Sequence, residues 1–222
     1  MTTNRKTLCA VAALTAAGIA WGQVPAVQRV PDGQIACHFF GRLNFDADRT
    51  ARYIAYFSRI AGIPDTALFA GEEQTAQTAK LTVVSTPLRV NFVRDGLLFH
   101  GKPSPVSGDF VLNQVYFNEL PRDRDFAEPD TFRNGRLVAT FRSRNALLSA
   151  IPLLQATATA VLELVSSDDF FVQGQRVNLR DVAQAVRLSM TGGPTPEGRS
   201  EAPFLSFPVS GYGTVVSPTP AE

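Results

Sequence analysis

From Ile35 onward, apolar and polar residues alternate with a period of two in runs separated by turn-forming residues. This is the pattern of strands with one buried face. In the first run Ile35, Cys37, Phe39, Leu43 and Phe45 share one face, and His38, Arg42 and Asn44 the other. Asp46-Ala47-Asp48 supplies a turn, and 50–60 returns as a second strand. Tyr53, Ile54, Phe57 and Ile60 in that return also suit a helical stripe, but its aromatic and β-branched content favours the pleat. In the 88–99 stretch Leu88, Val90 and Phe92 alternate with Arg89 and Asn91, and Asp95-Gly96 tolerates the positive φ of a type I′ hairpin turn.

The same reading predicts strands at 79–84, 110–117, 137–142, 157–165, 170–172, 176–179, 182–190, 204–209 and 212–216, with Gly174-Gln175 turning a tight hairpin. Segment 145–155 is expected to form one short helix, limited by Pro152. Segments 118–135 and 191–203 are rich in charge, proline or glycine and read as exposed loops. Turn signals recur every ~8–12 residues, so the expected class is all-β: an antiparallel β-barrel or β-sandwich of about ten short strands, with at most one short helix, rather than βαβ units. No repeat of the solenoid or propeller kind is visible.

The N-terminus changes the picture of where this domain works. Arg5 and Lys6 precede an uncharged, alanine- and leucine-rich run to Trp21, and Ala20-Trp21-Gly22 puts small residues before Gln23. A positive start, a short apolar run and a small-x-small site predict a cleaved secretory signal over 1–22 and an exported protein, periplasmic or extracellular. The run is too short for a membrane-spanning helix, which needs about 20 residues. The expected division is then a leader at 23–32, one β-rich domain at 33–216 and a flexible tail at 217–222.

Charge and cysteine content narrow the class further. Loss of Arg5 and Lys6 takes the 21 basic residues to 19 against 20 acidic, a net charge near −1. Such a chain has no general attraction for nucleic acid. Cys9 would leave with the signal, so Cys37 would remain alone and is expected to behave as a small buried hydrophobe.

Candidate chemistry is sparse. His38 and His100 are the only histidines, too few for a zinc site of three or four ligands without help. Cys37 and His38 are adjacent but should face opposite sides of a strand, which argues against a thiol–imidazole pair. Asp46-x-Asp48-x-Thr50 starts like a calcium loop, but Ala51 and Phe57 stand where glycine and a bidentate glutamate belong. Ser206 and Ser210 have no nucleophile elbow around them, and phosphate- and dinucleotide-binding fingerprints are missing. Glu72-Glu73 and Asp168-Asp169 are read as solvated turn acids, and Arg122-Asp123-Arg124-Asp125 as a self-compensating exposed loop. No catalytic, cofactor-binding or metal-binding residue is assigned. The expectation is a binding or interaction module holding a small apolar ligand or a protein partner in a barrel mouth or on its loops. The alternatives are a hydrolase using carboxylates and a cell-surface or outer-membrane structural protein; oligomeric state is left open.

Overall fold

The computed structural model describes residues 27, 29–46, 50–93, 98–103, 111–151, 155–193 and 205–217. The predicted signal segment and the Asp95-Gly96 turn lie outside them, as do residues 218–222. Twelve strands follow in order: β1 (Ile35–Phe45), β2 (Thr50–Ile60), β3 (Leu81–Ser85), β4 (Leu88–Val93), β5 (Leu98–Pro103), β6 (Leu112–Phe117), β7 (Arg136–Ile151), β8 (Gln155–Ser167), β9 (Phe170–Val172), β10 (Gln175–Val177), β11 (Ala185–Gly192) and β12 (Leu205–Val215). One α-helical turn among the described residues, α1 (Leu179–Val182), lies between β10 and β11.

The pairing β1-β12-β11-β8-β7-β6-β3-β2 returns to β1, so eight antiparallel strands close into a barrel. Closure removes the free sheet edges that would otherwise invite pairing with other chains. The β4–β5 hairpin makes a second bridge between β2 and β7, through Ala51↔Leu88 and His100↔Leu147. Only Thr86 and Pro87 separate β3 from β4. Proline has no N–H for the ladder, and Thr86 stitches the break by exchanging bonds with Leu112: its N–H donates to the Leu112 carbonyl (2.8 Å) and its Oγ1 accepts from the Leu112 N–H (2.9 Å).

Several local expectations change. Segment 145–155 is strand at both described ends: β7 runs to Ile151 and β8 starts at Gln155, paired Leu147↔Thr159 to Ile151↔Gln155. Cross-strand pairing overrides the helical potential of Ala146, Leu147 and Leu148. The helix forms instead at Leu179–Val182, started by Asn178, whose Oδ1 accepts from the Arg180 N–H at 3.0 Å. The tight turn is Gln173-Gly174, with φ of 49° and 79°, one residue earlier than expected. Segments 204–209 and 212–216 merge into β12. Gly211 does not turn the chain; a Cβ there would collide with the Ser189 carbonyl and the Phe39 ring. The strands are also longer than expected, β7 reaching 16 residues.

Phe39, Leu43, Phe207, Val209, Leu188, Met190, Val83 and Val115 are all buried and form part of the continuous core cluster. Ile35 departs from its predicted face and is 46% exposed, because the β1–β12 register slips between Ile35 and Cys37. Around one end of the barrel α1 supplies buried Leu179 and Val182, and Val30 docks beside it, donating its N–H to the Val182 carbonyl at 3.1 Å.

The 118–135 segment is mostly exposed, as its charge suggested, but it also carries buried side chains. It contains a 3-10 turn at Pro129–Arg133, and Phe132 is fully buried against Ile54 and Val84 on the outer side of the sheet. The Thr82 hydroxyl donates to the Phe132 carbonyl at 2.7 Å, fastening this cover to β3. Arg124 is 2% exposed, and none of its guanidinium nitrogens has a hydrogen-bond partner among the described residues.

A candidate ligand site in the barrel lumen

Eight strands leave an interior that side chains can just fill, or that holds one small ligand. Here the inner wall leaves two cavities of about 60 and 70 Å³. The first is lined by Cys37, Phe39, Phe57, Val115 and Phe141 and floored by Leu179, Val182 and Ala183 around α1. The second lies towards Leu43, Ala51, Leu88, Val111 and Met190. Tyr53, Asn113, Leu162 and Leu188 line both and form the wall between them. Each space exceeds the ~10–15 Å³ that one water needs, and both are smaller than the roughly 150 Å³ that accepts a benzene ring.

The polar groups of this inner wall are few. Asn113 Nδ2 donates to Ser143 Oγ at 2.8 Å, and Ser85 Oγ accepts from the Tyr53 N–H at 2.8 Å. Tyr53 Oη has no hydrogen-bond partner among the described residues. Its phenol pKa is pushed well up, first by burial and then by the neighbouring Cys37. Burial likewise pushes the Cys37 thiol up to about 12, against a smaller opposing effect of its hydrogen bond with the Gly213 backbone. A thiol so placed stays protonated and is a poor nucleophile.

His38 and Cys37 do separate as the strand predicts: Cys37 lines the inner cavity, whereas His38 opens onto a groove outside. That groove, about 710 Å³, runs over the outer face of β1, β12, β11 and β8. Its floor carries two cross-strand rows, His38–Tyr212–Ser189–Thr159 and Phe40–Ser210–Thr191–Thr157. Phe40 and Tyr212 are 48% and 43% exposed, with Arg59, Asp65 and Gln74 also on its lining. His100 lies on β5, in register with Asn91 of β4 and Leu147 of β7.

The remaining candidates take structural places. Asp169 accepts from Arg176 Nε at 2.7 Å, from Arg176 Nη2 at 3.0 Å and from Asn178 Nδ2 at 2.7 Å. Asp168, Glu72 and Glu73 are exposed. Asp46 accepts from the Thr50 hydroxyl at 3.2 Å across a turn whose residues 47–49 lie outside the described set. Ser206 bridges Arg42 and Asn44, and Ser210 belongs to the outer groove. Among the described residues, no three His, Cys, Asp or Glu side chains converge, and no helix is long and apolar enough to cross a membrane. The partition of the lumen and the buried Arg124 were not foreseen; both depend on residues brought together from distant strands and loops.

Comparison of the chain with protein-family models, with curated proteins and with solved structures finds no match.

Proposed function

We propose that this is an exported binding protein whose β-barrel lumen holds one small, mainly apolar ligand. The observation that carries this reading is the pair of adjoining cavities in the interior of a closed barrel, separated by a wall of only four residues. A core selected only for stability fills its interior to crystal-like density, because each void forfeits packing contacts. Space retained beside a continuous apolar lining is what a small-ligand site requires.

Two features weigh against the alternatives. Asp169 is paired with Arg176 and hydrogen-bonded by Asn178, and among the described residues no three His, Cys, Asp or Glu side chains converge. The barrel is apolar within, while β7, β8 and β11 carry Arg142, Arg144, Glu163 and Arg187 on the other face. A transmembrane barrel wants the reverse, an apolar outer band around a polar lumen. The outer groove, with Phe40 and Tyr212 exposed, favours contact with a partner as the second reading.

Toluene offered to the full chain, with binding followed by the methyl NMR signals of Leu162, Leu188 and Val115, tests the lumen. Saturable shifts confined to those methyls are expected, and Ala160→Ile, which fills the second cavity, should weaken them. Shifts confined to the outer groove, or none, would overturn the reading. Export is tested by intact mass: the secreted chain should begin within two residues of Gln23.

A further inference from the structure

This inference rests on the lumen-binding reading and gives the ligand its chemistry. The polar groups lining the two cavities are nearly all engaged within the fold. Asn113 is bonded to Ser143, Ser85 holds the Tyr53 backbone, and Cys37 is bonded to the Gly213 backbone. Tyr53 Oη is the one buried side-chain polar atom of this lining with no partner among the described residues. The residue is 6% exposed and lies in the wall shared by both cavities. Buried polar atoms without partners are uncommon in folded proteins, and each calls for a reason. Phenylalanine would fill the same space without an unsatisfied oxygen.

Size points to the same place. Neither cavity alone accepts a six-membered ring, so a ligand of that size must span the wall. Of the four residues in that wall, Leu162 and Leu188 offer only hydrocarbon, and the Asn113 amide already donates to Ser143. A ligand crossing between the cavities must part this wall, and the unpartnered hydroxyl it would uncover is Tyr53 Oη, closed off in the ligand-free fold.

We propose that the ligand is about one ring in size and carries a single hydrogen-bonding oxygen, a hydroxyl or a carbonyl, which pairs with Tyr53 Oη between the two cavities. A purely hydrocarbon ligand would leave the phenol unpaired. A charged ligand would find no counter-ion among the side chains lining the cavities and would face the cost of burying an unpaired charge.

The test compares phenol with toluene, two rings of similar size that differ in the oxygen, on the full chain and on Tyr53→Phe. The readout is the ratio of their dissociation constants, followed by the lumen methyl signals. Tyr53→Phe should move that ratio about five- to ten-fold against phenol, the effect of losing one neutral hydrogen bond. Tyr212→Phe, which removes a hydroxyl from the outer groove, should leave the ratio where it is. A ratio unchanged in Tyr53→Phe would overturn the inference, since the phenol would then be satisfied by water or by the fold. Toluene binding without a Tyr53-dependent ratio would leave the lumen reading standing and remove only the oxygen. Failure of both probes to bind would remove both. A melting temperature of ligand-free Tyr53→Phe equal to or above wild type would show that the hydroxyl has no structural bond to lose, whereas a fall of several degrees would count against the inference.

Discussion

Phe39 and Tyr53 meet edge to face inside the barrel, their ring centroids 5.5 Å apart and their planes at 74°. Phe39 sits on β1 and Tyr53 on β2, so this contact ties the first hairpin to the wall of both cavities. Phe39 is 1% exposed and has no room to be replaced by solvent. Phe39→Ala should cost about 3–5 kcal/mol of unfolding free energy, through lost burial and an enlarged void. Denaturant unfolding measures it, and a loss below about 1 kcal/mol would mean that the lumen collapses onto the space.

Cys37 should resist modification in the native protein. Its thiol lines the inner cavity and burial pushes it up to about 12, so little thiolate exists at pH 8. Labelling with a maleimide at pH 8 should be slow in buffer and fast in denaturant. Fast native labelling would show that the cavity opens to reagents of that size.

The Arg124 guanidinium is buried and has no hydrogen-bond partner among the described residues. A buried guanidinium without hydrogen bonds is destabilising, and apolar residues of similar volume in such places are often neutral or better. Burial already lowers its pKa to about 10, not enough to discharge it at pH 7. Arg124→Met should leave the thermal midpoint unchanged or raise it by a few degrees. A fall would reveal a partner for the guanidinium beyond the described residues.

The Asp169–Arg176 pair predicts acid sensitivity of the β9–β10 hairpin. The hydrogen bonds from Arg176 and Asn178 lower the Asp169 pKa. Its folded value therefore lies below its unfolded one, and its stabilising effect is complete above the ordinary carboxylate range near ~4 and is lost as the pH falls through the folded value. The difference in melting temperature between wild type and Asp169→Asn should be constant from pH 7 to 5 and shrink below about pH 4. A difference independent of pH would assign the effect to shape rather than charge.

How far the chain could be read follows from the range of each interaction. Strand 50–60 was legible because its aromatic and β-branched residues suit a pleat, although Tyr53, Ile54, Phe57 and Ile60 also fit a helical stripe. The helix expected at 145–155 was misjudged because its strand state is set by pairing with β8 and β5, which no local pattern contains. Gly211 looked like a break; its role is to let Phe39 and the Ser189 carbonyl approach β12. Arg124 looked solvated beside Asp123 and Asp125, yet the fold buries it.

The sequence by itself determined that this is an all-β domain, and it marked the inward side of β1 from Cys37 to Phe45, because a pleated strand repeats every two residues whatever it pairs with. Only the tertiary structure decided that the sheet closes, joining β1 to β12 across some 170 residues and leaving two cavities rather than a filled core. A strand that seals a barrel has the same alternation as one in a sandwich, since the pattern records which side is dry and not which partner supplies the hydrogen bonds. The volume left inside depends on how side chains from eight separate strands fit against one another, a property that belongs to none of them alone.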